Sequence, residues 1–120
     1  MKIVWCEINV KKKINISNYL EQLELTELVK SSTSAEINGY YVCDLLSWVM
    51  SHAKKDELWL TVQTHPNIIA IGSLLELGGI VIVEGASIPE QTIERAISEG
   101  VALYQTPKSA ADFLEVIYEL

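Results

Sequence analysis

The sequence predicts a single α/β domain with a largely parallel sheet flanked by helices. Three observations predict it. Short β-branched or aromatic runs alternate with runs of helical spacing, the pattern of βα units. The strand-to-helix junctions recur about 20 residues apart, as short connecting loops require. Ile80-Val81-Ile82-Val83 is apolar without a break, as a strand buried on both faces is. With 120 residues, 49% of them apolar, the chain is one domain with enough apolar side chain for a core.

Residues 3–10 read as an N-terminal strand that ends at Lys11-Lys12-Lys13, a solvated turn or strand edge. Ser17 is placed to cap a short helix over residues 18–23. Residues 25–29 fit a strand or a helix end, and Ser31-Ser32-Thr33-Ser34 a loop. Gly39-Tyr40-Tyr41-Val42-Cys43 is the next strand. Asp44 is placed to cap the helix over residues 45–52, where Leu46, Val49, Met50 and Ala53 share one side. Lys54-Lys55-Asp56-Glu57 is a polar turn before the strand of residues 58–63. Thr64 or His65 caps the helix of residues 68–77, with Pro66 near its first turn and Gly78-Gly79 at its end. Residues 80–83 are a strand. Pro89 opens a helix that runs to about Ser98, and Gly100 closes it. Residues 101–104 form the last strand and residues 109–118 the last helix, with Ser109 as a cap.

The formal net charge of −7 disfavours nucleic acid as a partner, because phosphate contacts need a positive surface. No run is long enough to span a membrane, and the N-terminus lacks the apolar core of a signal peptide, so a cytoplasmic protein is expected. Cys6 and Cys43 lie in apolar runs and read as small core residues. The helix of residues 68–77 is apolar around much of its circumference. It is either central or meets another chain, and a homodimer is expected.

Parallel strands gather their carboxyl ends at one edge, where open α/β sheets bind ligands. The candidate ligand residues are therefore Asp44, Thr64, His65, Glu84, Gly85, Ser87, Thr106 and Lys108. His65, at the start of a helix, adds a donor to backbone N–H groups that favour a phosphate or carboxylate; its other reading is a cap. Thr64 is a hydroxyl donor or a cap. Asp44 accepts from a ribose hydroxyl or an amine, or caps. Gly85 allows a tight loop and close backbone approach. Lys108 supplies positive charge. No P-loop, Gly-x-Gly-x-x-Gly, Gly-x-Ser-x-Gly or zinc spacing occurs, so no cofactor, metal or enzymatic activity is expected.

Tyr41-Val42-Cys43-Asp44-Leu45-Leu46-Ser47, then Leu58-Trp59-Leu60-Thr61-Val62-Gln63-Thr64-His65-Pro66-Asn67-Ile68, resembles the DRTGG domain family. The Gly79–Val83 run, the Pro89 helix and Tyr104-Gln105-Thr106-Pro107 extend the likeness over residues 39–120, with residues 1–38 as an N-terminal strand and helix extension of the same domain. The most specific piece is Gln63-Thr64-His65-Pro66-Asn67. The resemblance implies a fold like the N-terminal domain of HPr kinase/phosphorylase, without that enzyme's kinase P-loop. It also implies a stand-alone regulatory or sensing module, with an adenine nucleotide as ligand at the carboxyl edge or at a homodimer interface. The alternative is a protein interaction or dimerisation module with no small ligand. One departure stands out: where the family often has a Thr-Gly-Gly-like loop, this chain has Glu84-Gly85-Ala86-Ser87.

Overall fold

A computed structural model describes residues 13–32 and 36–120. The expected strand over residues 3–10, Cys6, Lys11 and Lys12 lie outside the described residues. Five strands form one sheet: β1 (Thr26–Val29), β2 (Gly39–Val42), β3 (Glu57–Thr61), β4 (Gly79–Ile82) and β5 (Leu103–Gln105). Their order is β1-β5-β4-β3-β2. Strands β2 to β5 are parallel, and β1 joins β5 antiparallel. Helices α1 (Leu46–His52), α2 (Asn67–Leu74), α3 (Glu90–Glu99) and α4 (Ala110–Ile117) follow β2, β3, β4 and β5 in turn.

Side-chain alternation in the strands divides the core in two. Trp59, Ile80, Ile82 and Leu103 face α1, α2 and α3 through Val49, Ile68, Ile69 and Ala96. Leu58, Leu60, Val81 and Tyr104 face Phe113 and Ile117 of α4, together with Ile14, Ile16 and Leu23 from the N-terminal segment. Three helices share one face because successive right-handed crossovers, stepping the same way across the sheet, must all lie on that face. The apolar α2 is the middle helix, between α1 and α3. That position accounts for buried Ile68, Ile69 and Ile71, while Leu74 stays 70% exposed.

Several local expectations are corrected. Ser17 caps nothing. A 3₁₀ turn over Ile16–Asn18 is capped by Asn15, whose side chain accepts from the Ser17 N–H. The Ser17 hydroxyl donates to Glu27 at 3.2 Å instead. Residues 25–29 resolve as strand β1. Gly78-Gly79 does not end α2, which stops at Leu74 in a Schellman turn. There Glu76, at φ 54°, takes the left-handed position and the Leu77 N–H reaches the Gly72 carbonyl at 3.0 Å. The turn comes early so that Gly78 is free to donate to Glu57 O at 2.8 Å and lead into β4. Gly100 (φ 68°) closes α3 as expected.

Candidate functional site

The carboxyl ends of β2 to β5 form two adjoining groups. In the first, Asp44 is not a helix cap; Leu45 occupies that position without a side-chain bond. The Asp44 carboxylate instead turns across to β3. Its Oδ1 accepts from the Thr61 hydroxyl at 2.7 Å and from the Val62 N–H at 3.0 Å. The strands pair Val42 with Leu60, so a residue just past β2 lies beside Thr61 and Val62. Gln63 completes the link, its side-chain amide donating to Asp44 O at 2.9 Å. Asp44 itself is exposed, while Thr61 is buried beneath it.

His65 precedes α2. Its Nδ1 accepts from the Asn67 N–H at 3.1 Å. A backbone N–H only donates, so this bond assigns the proton of the neutral ring to Nε2. The exposed ring therefore caps the helix start with one nitrogen and offers a donor with the other. Thr64 does not cap; its carbonyl accepts from the buried Thr92 hydroxyl of α3 at 2.6 Å. That bond ties the β3–α2 loop to its neighbour helix and fixes where His65 stands.

The second group is the β4–α3 and β5–α4 loops. Glu84 and Gly85 both have φ 63°, and the Ala86 N–H bonds back to Val83 O at 3.2 Å, the pattern of a type I′ turn. The Glu84 and Gly85 N–H groups donate to Lys108 O and Thr106 O at 2.8 and 2.9 Å. Those two amides are thus spent within the protein and do not face a ligand. Thr106 is fully buried, its hydroxyl accepting from the Lys108 N–H at 3.2 Å. Its side chain is a loop brace and not a surface contact. The Lys108 ammonium lies 3.2 Å from Glu24. Glu84 and Ser87 are exposed. The structure thus brings Asp44, Thr64 and His65 onto one loop pair and Glu84, Gly85, Thr106 and Lys108 onto the next.

Four partners were missed by reading the sequence: Thr61, Gln63, Thr92 and Glu24. Thr61 and Gln63 carried a signal, as polar side chains at the end of an apolar strand. Thr92 and Glu24 are far in sequence from the residues they hold, and nothing local marks them.

Polar clefts of about 470 and 390 Å³ open at the opposite, amino edge, near Lys30, Ser32, Gly78 and Gly100. A third groove of about 420 Å³, almost wholly apolar, runs between α1 and α2 past Leu46, Met50, Ala70 and Ile71. Met50, on its lining, is 48% exposed, and Leu45 and Trp48 elsewhere on the α1 segment are 61% and 52% exposed. Trp48 stacks on His52 at 4.0 Å between ring centroids. Among the described residues no three His, Cys, Asp or Glu side chains cluster as metal ligands, and no helix is long and apolar enough to cross a membrane.

No family model matches the chain, and no curated protein matches it. Among solved structures it is similar to the CBS and DRTGG domains of the regulatory region of Clostridium perfringens pyrophosphatase, complexed with the activator diadenosine tetraphosphate. The TM-score is 0.72 at 14% identity, over 86% of this chain. The chain spans 45% of that one. The fold is DRTGG-like.

Proposed function

We propose that the chain is a non-catalytic regulatory module that senses an adenine nucleotide at the carboxyl edge of its sheet. The observation that carries this reading is the pairing of two prepared, exposed groups on adjacent loops. Asp44 is anchored through one carboxylate oxygen, and His65 is oriented through one ring nitrogen. Asp44 Oδ2 then suits a ribose hydroxyl or an exocyclic amine. His65 Nε2–H, at the start of α2 with the Thr64 hydroxyl beside it in the chain, suits a phosphate oxygen. The regulatory character of the similar solved region, and the dinucleotide bound to it, support the same reading. A cytoplasmic location goes with it. The contact of Ser51 Oγ with His52 Nδ1 at 2.9 Å joins neighbouring exposed residues. Ser51 Oγ also lies 3.1 Å from the Trp48 carbonyl, a local helix bond and no catalytic pair.

Thermal unfolding with AMP, ADP, ATP and diadenosine tetraphosphate tests the proposal. A ligand at about 100 times its dissociation constant adds about 2.7 kcal/mol, which raises the midpoint by several degrees. The shift is expected in the native chain and lost in His65→Ala. A flat response to all four nucleotides contradicts it.

An apolar groove bordered by exposed Met50, with Leu45 and Trp48 exposed elsewhere on the α1 segment, favours a second reading, a dimerisation module with no small ligand. Large exposed apolar side chains are typical of subunit contacts. A monomer at all concentrations in sedimentation equilibrium removes that reading.

A further inference from the structure

The cleft of about 470 Å³ at the amino edge is built by two chain segments that the fold brings together. One is the turn from Asn15 to Asn18, which follows the Ile14–Ile37 bridge. The other is the exit of β1 at Lys30. Just beyond it the Ser32 N–H and hydroxyl both donate to Gly100 O, at 3.3 and 3.4 Å. Those bonds hold the exit of β1 against the end of α3. Buried Ile16, Ile37 and Tyr104 give the cleft an apolar floor. Its side-chain nitrogen donors are those of Asn15, Asn18 and Lys30.

These three side chains carry donors that the fold does not use. Asn15 Oδ1 accepts from the Ser17 N–H at 3.1 Å. A backbone N–H only donates, so Oδ1 is the half held by the turn and Nδ2 is left over. The Asn18 carboxamide and the exposed Lys30 ammonium have no hydrogen bond or ion pair among the described residues. Lys30 is also the one charged side chain in the lining among those residues. Glu27, on the same strand, is engaged outside the lining. The Ser17 hydroxyl donates to it at 3.2 Å, and Ser17 bonds the Tyr104 hydroxyl as well. In a chain of net charge −7, an unpaired lysine beside two unspent carboxamides is a receptor for negative charge.

We propose that this cleft binds a small organic monocarboxylate. A pocket of this size, with an apolar floor and a few polar groups, suits a small molecule. The carboxylate accepts from the Lys30 ammonium and from the Asn15 and Asn18 amides, and a short apolar body covers Ile16 and Ile37. One lysine balances one negative charge. A phosphate group carries about −1.5 to −2 at pH 7, and the lining has no second cation to take the excess. The site lies at the edge opposite His65 and stands whatever ligand binds there.

Titration with butyrate, followed by amide chemical shifts, tests the proposal. The Asn18, Lys30, Ser32 and Gly78 amides should move along one saturable curve, and butanol, which lacks the charge, should not move them. Lys30→Gln should raise the dissociation constant at least about fivefold, the loss of one charge-assisted bond. Lys30→Arg keeps the charge and should bind nearly as the native chain does. Lys30 is exposed and unpaired, so both variants should keep the native urea midpoint. His65→Ala should leave the butyrate response intact, which separates this site from the carboxyl edge. Shifts that do not saturate, or a response that Lys30→Gln leaves unchanged, overturn the proposal. Tighter binding of inorganic phosphate than of butyrate overturns the carboxylate as ligand.

Discussion

The Asp44 carboxylate accepts the Thr61 hydroxyl at 2.7 Å and so joins the ends of β2 and β3 at the surface where both loops begin. Thr61 is 1% exposed, so its hydroxyl has no water to turn to. Removing one partner leaves a buried group unsatisfied. Asp44→Ala should therefore lower stability by about 1–3 kcal/mol. Asp44→Asn, which keeps an acceptor at Oδ1, should lose less. Urea unfolding of both variants and of Thr61→Val, read as a double-mutant cycle, measures the coupling.

Gly100 sits at φ 68°, and a Cβ there would lie 2.5 Å from the Ser32 hydroxyl oxygen. The left-handed conformation costs a side-chain-bearing residue about 1–2 kcal/mol. Gly100→Ala should lose at least that much in denaturant unfolding. Glu84→Gly relieves the same strain at an exposed turn, and should hold or raise the midpoint.

Two tyrosines give the fold an alkaline limit. Burial, with the Glu27 carboxylate adding to it and a Ser17 hydrogen bond opposing it, pushes Tyr104 up to about 12. Burial and neighbouring Tyr118 push Tyr40 to about 12 as well. Unfolded tyrosine ionises near 10. Between about 10 and 12 the folded state holds protons that the unfolded state has released, so stability falls as pH rises. Below 10 this contribution is constant. Unfolding midpoints should decline through that window, and Tyr104→Phe should flatten part of the decline.

Trp48 is 52% exposed and packs on His52, not on the core. Trp48→Ala should change folding stability little, within about 0.5 kcal/mol for an exposed site. If the chain dimerises through α1, the same change should raise the dissociation constant at least about tenfold, as loss of a buried aromatic anchor does. Sedimentation velocity across a concentration series reads it.

Much of the fold was legible because local and tertiary preferences agree. Ile80-Val81-Ile82 is apolar at every position, and the central strand β4 is buried on both faces. Ser109 caps α4 as read, its hydroxyl accepting from the Asp112 N–H at 3.1 Å. The end of α2 was misread because glycine is the usual left-handed residue, and here Glu76 takes that role. Asp44 was misread as a cap because capping is a local habit, whereas its real partners are 17 and 18 residues away. Thr106 shows the same limit: a junction position promises a ligand contact, but the turn of Lys108 folds back over its hydroxyl.

Amide chemical-shift mapping tests nucleotide binding at the carboxyl edge most directly. Titration with ATP or diadenosine tetraphosphate should move the amides of Asp44, Val62, Thr64, His65 and Asn67 together, and His65→Ala should remove the effect. Shifts confined to Lys30, Ser32 and Tyr104 at the amino edge, or no shifts at saturating nucleotide, would contradict it.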